Sequence, residues 1–108
     1  MDTQNPLNES RKIVVKADPE LAELIPNFLE NRSADLSLMH KALQTGDYET
    51  IERIGHGMKG AGAGFGFEAV TEIGARIEGS AKDKDLKEIQ KAIDGLGDYL
   101  CRLEVIYE

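Results

Sequence analysis

Between residues 21 and 43, apolar side chains recur at spacings of three, four and seven: Leu21, Leu24, Ile25, Phe28, Leu29, Leu36, Met39 and Leu43. That period predicts an amphipathic helix. Pro26 interrupts it. Proline removes one backbone hydrogen bond and its ring clashes with the preceding turn, so the pattern predicts a short helix near 19–25, a kink or break, and a longer helix to about 45. Asp18-Pro19-Glu20 supplies the start: Asp accepts amide hydrogens at the N-cap, Pro sits where no donor is missed, and Glu faces the positive helix end. A second stripe, Ile51, Ile54, Met58, Ala61 and Phe65, follows Asp47 as its cap. A third comprises Phe67, Val70, Ile73 and Ile77. The fourth, capped near Asp83, is the most regular, with Leu86, Ile89, Ile93, Leu96, Leu100, Leu103 and Tyr107 alternating in threes and fours like the seam of a bundle helix.

Four helical segments with short connections around 46, 66 and 82 predict an all-α fold, an up-down four-helix bundle with an additional short N-terminal helix. No segment reads as part of a sheet. Ile13-Val14-Val15 is a short apolar patch with no second strand to pair with, so it is expected to lie extended along the helices. Residues 1 to about 11 are polar and aperiodic and read as a mobile tail. The chain therefore divides into a tail and apolar patch over 1–17 and a bundle over 18–108.

Composition narrows the function. With 108 residues there is material for one core, and 20 acidic against 13 basic residues give a net charge of −7. A pI near 4.8 without a Lys or Arg cluster argues against nucleic acid or anionic lipid as the main partner, since both repel a surface of this sign. The single cysteine, Cys101, excludes an internal disulfide framework and any CxxC motif, as suits a reducing compartment. Its place after Leu100 in the last seam suggests a small buried thiol. The N-terminus lacks the basic flank and apolar core of a signal peptide, and no apolar run approaches the roughly 20 residues needed to cross a bilayer. A cytoplasmic protein is expected.

Glycine is the anomaly. Six of the 11 glycines (Gly55, Gly57, Gly60, Gly62, Gly64 and Gly66) fall within twelve residues. At about 100° per residue, with Ile51 as zero, the apolar stripe of this segment centres near 320° and His56 falls near 140°, pointing away from the core. Ala63, Gly60, Arg53 and Gly64 lie at roughly 120°, 180°, 200° and 220°, with Lys59 at the flank near 80°. His56 thus sits on a solvent face whose neighbours one and two turns on have almost no side chain. Each interior glycine costs a helix roughly 1 kcal/mol relative to alanine, and a merely solubilising surface would use Glu, Lys or Ala. Bare backbone beside an imidazole lets another macromolecule approach closely. Gly55 and Gly62, near 40° and 20° by the same arithmetic, are candidates for close helix packing instead.

His56-Gly57-Met58-Lys59-Gly60, with Phe65-Gly66 downstream, resembles the signature of histidine-containing phosphotransfer (HPt) domains, H-x-[LMI]-K-G followed by a glycine. The Asp18-Pro19-Glu20-Leu21 start, Gly46-Asp47 and Ile77-Glu78 are similar to features of stand-alone bacterial members. The resemblance implies a four-helix bundle whose histidine carries a phosphoryl group between a sensor (hybrid) histidine kinase and the aspartate of a response-regulator receiver domain. By position it makes His56 the phosphoacceptor, Lys59 the cation near the phosphoryl oxygens, Gly60 the clearance for the partner, and Glu78 the group that orients the imidazole. The docking face then comprises Glu52, Arg53, Gly60, Ala63 and Gly64. A hairpin turning near Gly66-Phe67 places His56 and Glu78 at similar height, each about three turns away.

The chemistry suits these residue types. A neutral imidazole keeps one ring nitrogen as nucleophile, and a carboxylate on the other nitrogen fixes the tautomer and stabilises positive charge on the ring. No ATP site, cofactor or metal site is expected on this chain, so it is a phosphotransfer protein active only with a partner. The magnesium ion that phosphoryl transfer needs is expected on the receiver. A monomer is expected, with no nucleic acid and no membrane among its partners.

Other readings stay open. Gly55 to Gly60 also fits G-x-G-x-x-G, but neither a preceding strand nor a βαβ unit accompanies it. His40 and His56 lack the neighbouring ligands of a metal site, and His40 reads as an ordinary surface histidine. A non-catalytic helical adaptor, whose glycine-rich helix packs against a partner without chemistry, is the alternative from another class. An inactive HPt-like protein-binding bundle is a third.

Overall fold

The computed structural model describes residues 11–108; the tail expected over the first residues lies largely outside them. Strand β1 (Ile13–Ala17) leads through a single 3-10 turn (Pro19–Leu21) into helices α1 (Ile25–Thr45), α2 (Tyr48–Phe65), α3 (Glu68–Lys82) and α4 (Leu86–Arg102), and the chain closes with strand β2 (Leu103–Tyr107). The four helices form the expected up-down bundle.

Local chemistry sets the boundaries. Asp47 accepts from the Thr50 amide at 3.1 Å and starts α2, as Asp85, rather than the expected Asp83, starts α4 through the Glu88 amide. Gly46 and Gly66 stop α1 and α2 in the left-handed region, at φ of 69° and 81°, where a side chain would be strained. Pro26 neither kinks nor breaks a helix. It lies in the first turn of α1, where its missing N–H has no intrahelical partner to lose, so the expected short helix contracts to the turn after Asp18, whose side chain accepts from Glu20.

The core is continuous across the bundle. Ile25, Phe28 and Met39 of α1 meet Ile51 and Met58 of α2, Val70 and Ile77 of α3, and Ile89, Ile93 and Leu96 of α4, all buried. At the α2–α3 turn the Phe28 ring stacks on Phe65 at 4.6 Å between centroids and lies 5.2 Å from Phe67, closing that end.

The chain ends differ from expectation. β1 and β2 form a parallel pair with Ile13 opposite Leu103 and Ala17 opposite Tyr107. The apolar patch thus has a partner strand, drawn from residues whose spacing reads as the end of α4. Leu103 and Tyr107 are four apart, which fits a helix, but Leu103 and Val105 alternate inward as in a strand, and Tyr107 is exposed rather than in a helical seam. A two-stranded pair needs support from other elements. Ile13, Val15, Leu103 and Val105 find it against the core. Cys101 is exposed, not buried; one residue beyond Leu100 turns it about 100° out of the seam. Leu86, the first residue of that seam, is exposed as well. No helix among the described residues is long and apolar enough to cross a membrane.

Helices α2 and α3 make the most extensive pairing, and glycine permits it. A Cβ on Gly55 would lie 2.7 Å from the Glu78 amide nitrogen and 2.9 Å from the Gly74 carbonyl oxygen; one on Gly74 would lie 2.7 Å from the Lys59 nitrogen. Gly62 is similarly pressed against Thr71. Most of these close atoms belong to the backbone, which cannot yield by turning a side chain. Gly57, Gly60 and Gly64 would meet nothing within 4 Å. Opposite outcomes follow in urea unfolding: Gly55→Ala destabilises the fold by about 1–3 kcal/mol, overpacking outweighing the helix-propensity gain, whereas Gly64→Ala stabilises it by about 0.5–1 kcal/mol.

Candidate functional site

The close crossing of α2 and α3 brings the segment after Gly55 against the last turns of α3. His56, next in sequence, projects outward with its side chain 70% exposed, while Glu78 stands at the rim with its side chain 14% exposed. His56 Nδ1 and Glu78 Oε2 are 3.0 Å apart. The other carboxylate oxygen, Oε1, receives the Lys59 ammonium at 2.9 Å. Thr71 Oγ1 donates to the Lys59 carbonyl at 3.2 Å, a further tie between the two helices.

The electrostatics follow from this sharing. The Lys59 hydrogen bond, above all, holds the Glu78 carboxyl below its ordinary value of 4.5; the His56 contact lowers it further, against the opposing effect of desolvation. Glu78 is therefore an anion at neutral pH and offers only acceptor oxygens. The hydrogen bond to His56 then requires Nδ1 to carry the proton. In the neutral ring this leaves the lone pair on Nε2, the nitrogen away from Glu78.

The structure thus brings His56, Lys59 and Glu78 together. Among the residues expected at the docking face, Glu52 and Arg53 line an open groove of about 380 Å³ with His56, Glu78 and Glu49, and Gly60, Ala63 and Gly64 are exposed further along α2. Lys59 is engaged with Glu78 rather than standing free. His40 is exposed and far along the chain on α1. Among the described residues no three His, Cys, Asp or Glu side chains are grouped so as to hold a metal ion. Sequence reasoning missed Gly74 and Thr71, which set the distance between α2 and α3, and Glu49 in the groove. The signal for Gly74 was its spacing of four from Val70 and three from Ile77, which places a glycine on the buried face of α3.

The model of the Hpt domain family matches residues 23–105, more than three quarters of the chain, and the protein belongs to that family. Membership places it among the histidine phosphotransfer modules of two-component signalling, which are not kinases with an ATP site of their own. The match covers all four helices and most of β2 but not β1. No curated protein and no solved structure matches the chain.

The shared carboxylate gives a direct test by pH. Because the folded-state value of Glu78 is lowered, the stability this group contributes is present above its ordinary value and is lost as pH falls through the lowered one. Carboxyl-carbon NMR should place the Glu78 midpoint below 4.5 in the native protein and move it upward in Lys59→Ala, with the other glutamates unmoved.

Proposed function

We propose that the protein is a phosphorelay intermediate that carries a phosphoryl group on His56 between a sensor histidine kinase and a response-regulator receiver aspartate. The observation that carries this reading is the 3.0 Å contact between His56 Nδ1 and Glu78, on a ring that is 70% exposed. It pins one nitrogen and leaves Nε2 as the nucleophile.

In the transfer, the Nε2 lone pair attacks phosphorus of the receiver's aspartyl phosphate. The nitrogen–phosphorus bond forms as the phosphorus–oxygen bond breaks, and the aspartate leaves with the electron pair as a free carboxylate. The ring then carries a proton on Nδ1 and phosphorus on Nε2, and its positive charge faces Glu78. Lys59 serves twice: it holds Glu78 in place, and, with three N–H donors of which the Glu78 contact needs one, it retains donors for the phosphoryl oxygens. The magnesium ion comes with the receiver. Gly60, Ala63 and Gly64 leave the backbone bare where the receiver must approach, while Glu52 and Arg53 border it. The protein acts in the cytoplasm as a monomer.

Incubation with a phosphorylated receiver domain, or with phosphoramidate as a small phosphoryl donor, should label His56 with acid-labile, base-stable phosphate. His56→Gln should abolish all label; a helical adaptor would keep its partner with that substitution and lose nothing. Gly60→Gln separates folding from function. Its side chain meets open space, so thermal stability should rise, yet transfer from the receiver should slow about tenfold, equivalent to about 1.4 kcal/mol of lost contact. Unchanged transfer in Gly60→Gln would remove the clearance argument.

A further inference from the structure

The surface around His56 carries a charge pattern that phosphotransfer by itself does not require. Along the outward line of α2, Glu52 and Glu49 precede His56 by four and seven residues, about 6 and 10.5 Å along the axis. Both line the groove at His56, where Arg53 is the one cation among the lining residues. The Lys59 ammonium is taken up by Glu78. On the other side of His56 the same line bears Gly60, Ala63 and Gly64 and no charge. It ends at a second groove of about 350 Å³, beside Ala63 and Gly66, where Glu68 and Glu72 of α3 form the wall. A neutral platform of roughly 15 Å therefore lies between two acidic rims.

This pattern poses an electrostatic problem that its arrangement answers. The phosphoryl group that has to reach His56 carries negative charge spread over its oxygens, so a uniformly acidic face would repel it. The carboxylates here are absent from the platform and gathered at its two ends. Resting on the phosphotransfer reading above, we infer that the cognate receiver is basic at its rims. Its Lys or Arg side chains flank the aspartate pocket on both sides, meeting Glu49 and Glu52 at one end and Glu68 and Glu72 at the other, with uncharged contact over the glycines between. Charges at an interface rim act chiefly on the rate of encounter and its salt dependence, and they reject wrongly charged partners. These carboxylates are then specificity determinants, selecting one receiver class from others of the same fold.

Glu52 and Glu72 give the cleanest probes, because neither lies in the first turn of its helix, where Glu49 and Glu68 face the helix N-terminus. Transfer to His56 is measured at about 0.05 M and about 0.5 M salt for the native protein, Glu52→Lys and Glu72→Lys, with circular dichroism to verify folding. The donors are a phosphorylated basic-rimmed receiver that labels the native protein, and that receiver's own variant with the rim Lys and Arg changed to Glu. With the basic-rimmed donor, each substitution should slow low-salt transfer about three- to tenfold, and the difference should shrink at high salt. With the acidic-rimmed donor the order should reverse, the lysine variants being faster. Equal rates for all three proteins, or faster transfer to the lysine variants from the basic-rimmed donor, would overturn the inference. If no receiver and no phosphoramidate labels native His56, the phosphotransfer reading itself fails, and this inference with it.

Discussion

The contact on which the site depends is made chiefly by main chain. Where α2 crosses α3, Gly55 and Gly74 let the two backbones meet, and the space a Cβ would fill is already taken by the Glu78 amide and the Gly74 carbonyl. His56 follows Gly55 by one residue. The height of the imidazole relative to Glu78, and the distance between them, are therefore set by main chain against main chain, the stiffest element the fold can offer. Thr71, donating to the Lys59 carbonyl, secures the same pair one turn further on.

From that spacing the electrostatics follow in order. Glu78 reaches both His56 and Lys59, and its two oxygens are occupied by different donors. The carboxylate is ionised at neutral pH and the lysine holds its value lower still, ionisation makes it an acceptor only, and an acceptor on Nδ1 decides which nitrogen of His56 is free. Lys59 thus influences the imidazole through Glu78 in the free protein, a role separate from any direct contact with a phosphoryl group. A positive charge forming on the ring would find its counter-charge already placed, with no reorganisation needed at that moment.

Much of this was legible in the sequence, for identifiable reasons. Strong periods gave the four helices, and the Asp47 cap and the terminating glycines at 46 and 66 gave two of the three connections. The outward direction of His56 came from the angle of a single stripe. The height match between His56 and Glu78 came from counting turns on either side of Gly66. What could not be read was whatever depended on partners distant in sequence. Ile13 to Ala17 looked unpaired because their partner, Leu103 to Tyr107, stands some ninety residues away and carries a spacing compatible with either structure. Pro26 read as a break because its meaning depends on where the helix begins, and the start lies one residue before it. Cys101 read as buried through its neighbour Leu100, although a single residue step on a helix turns a side chain out of the core.

The glycines of α2 show how one residue type serves two opposed requirements. Gly55 and Gly62 are buried and are needed because another backbone is there; Gly57, Gly60 and Gly64 are exposed and have nothing near them. Both groups weaken the helix locally, since an interior glycine costs roughly 1 kcal/mol against alanine. Only the buried group returns that cost within the molecule, through the close packing it allows. An isolated helix of this composition would not persist. It persists because Ile51 and Met58 anchor its inner face in the core and α3 packs on the adjoining strip at Gly55 and Gly62, so tertiary packing supplies what propensity withholds. The bare face can then remain bare, because its stability is borne by residues on the opposite side of the helix.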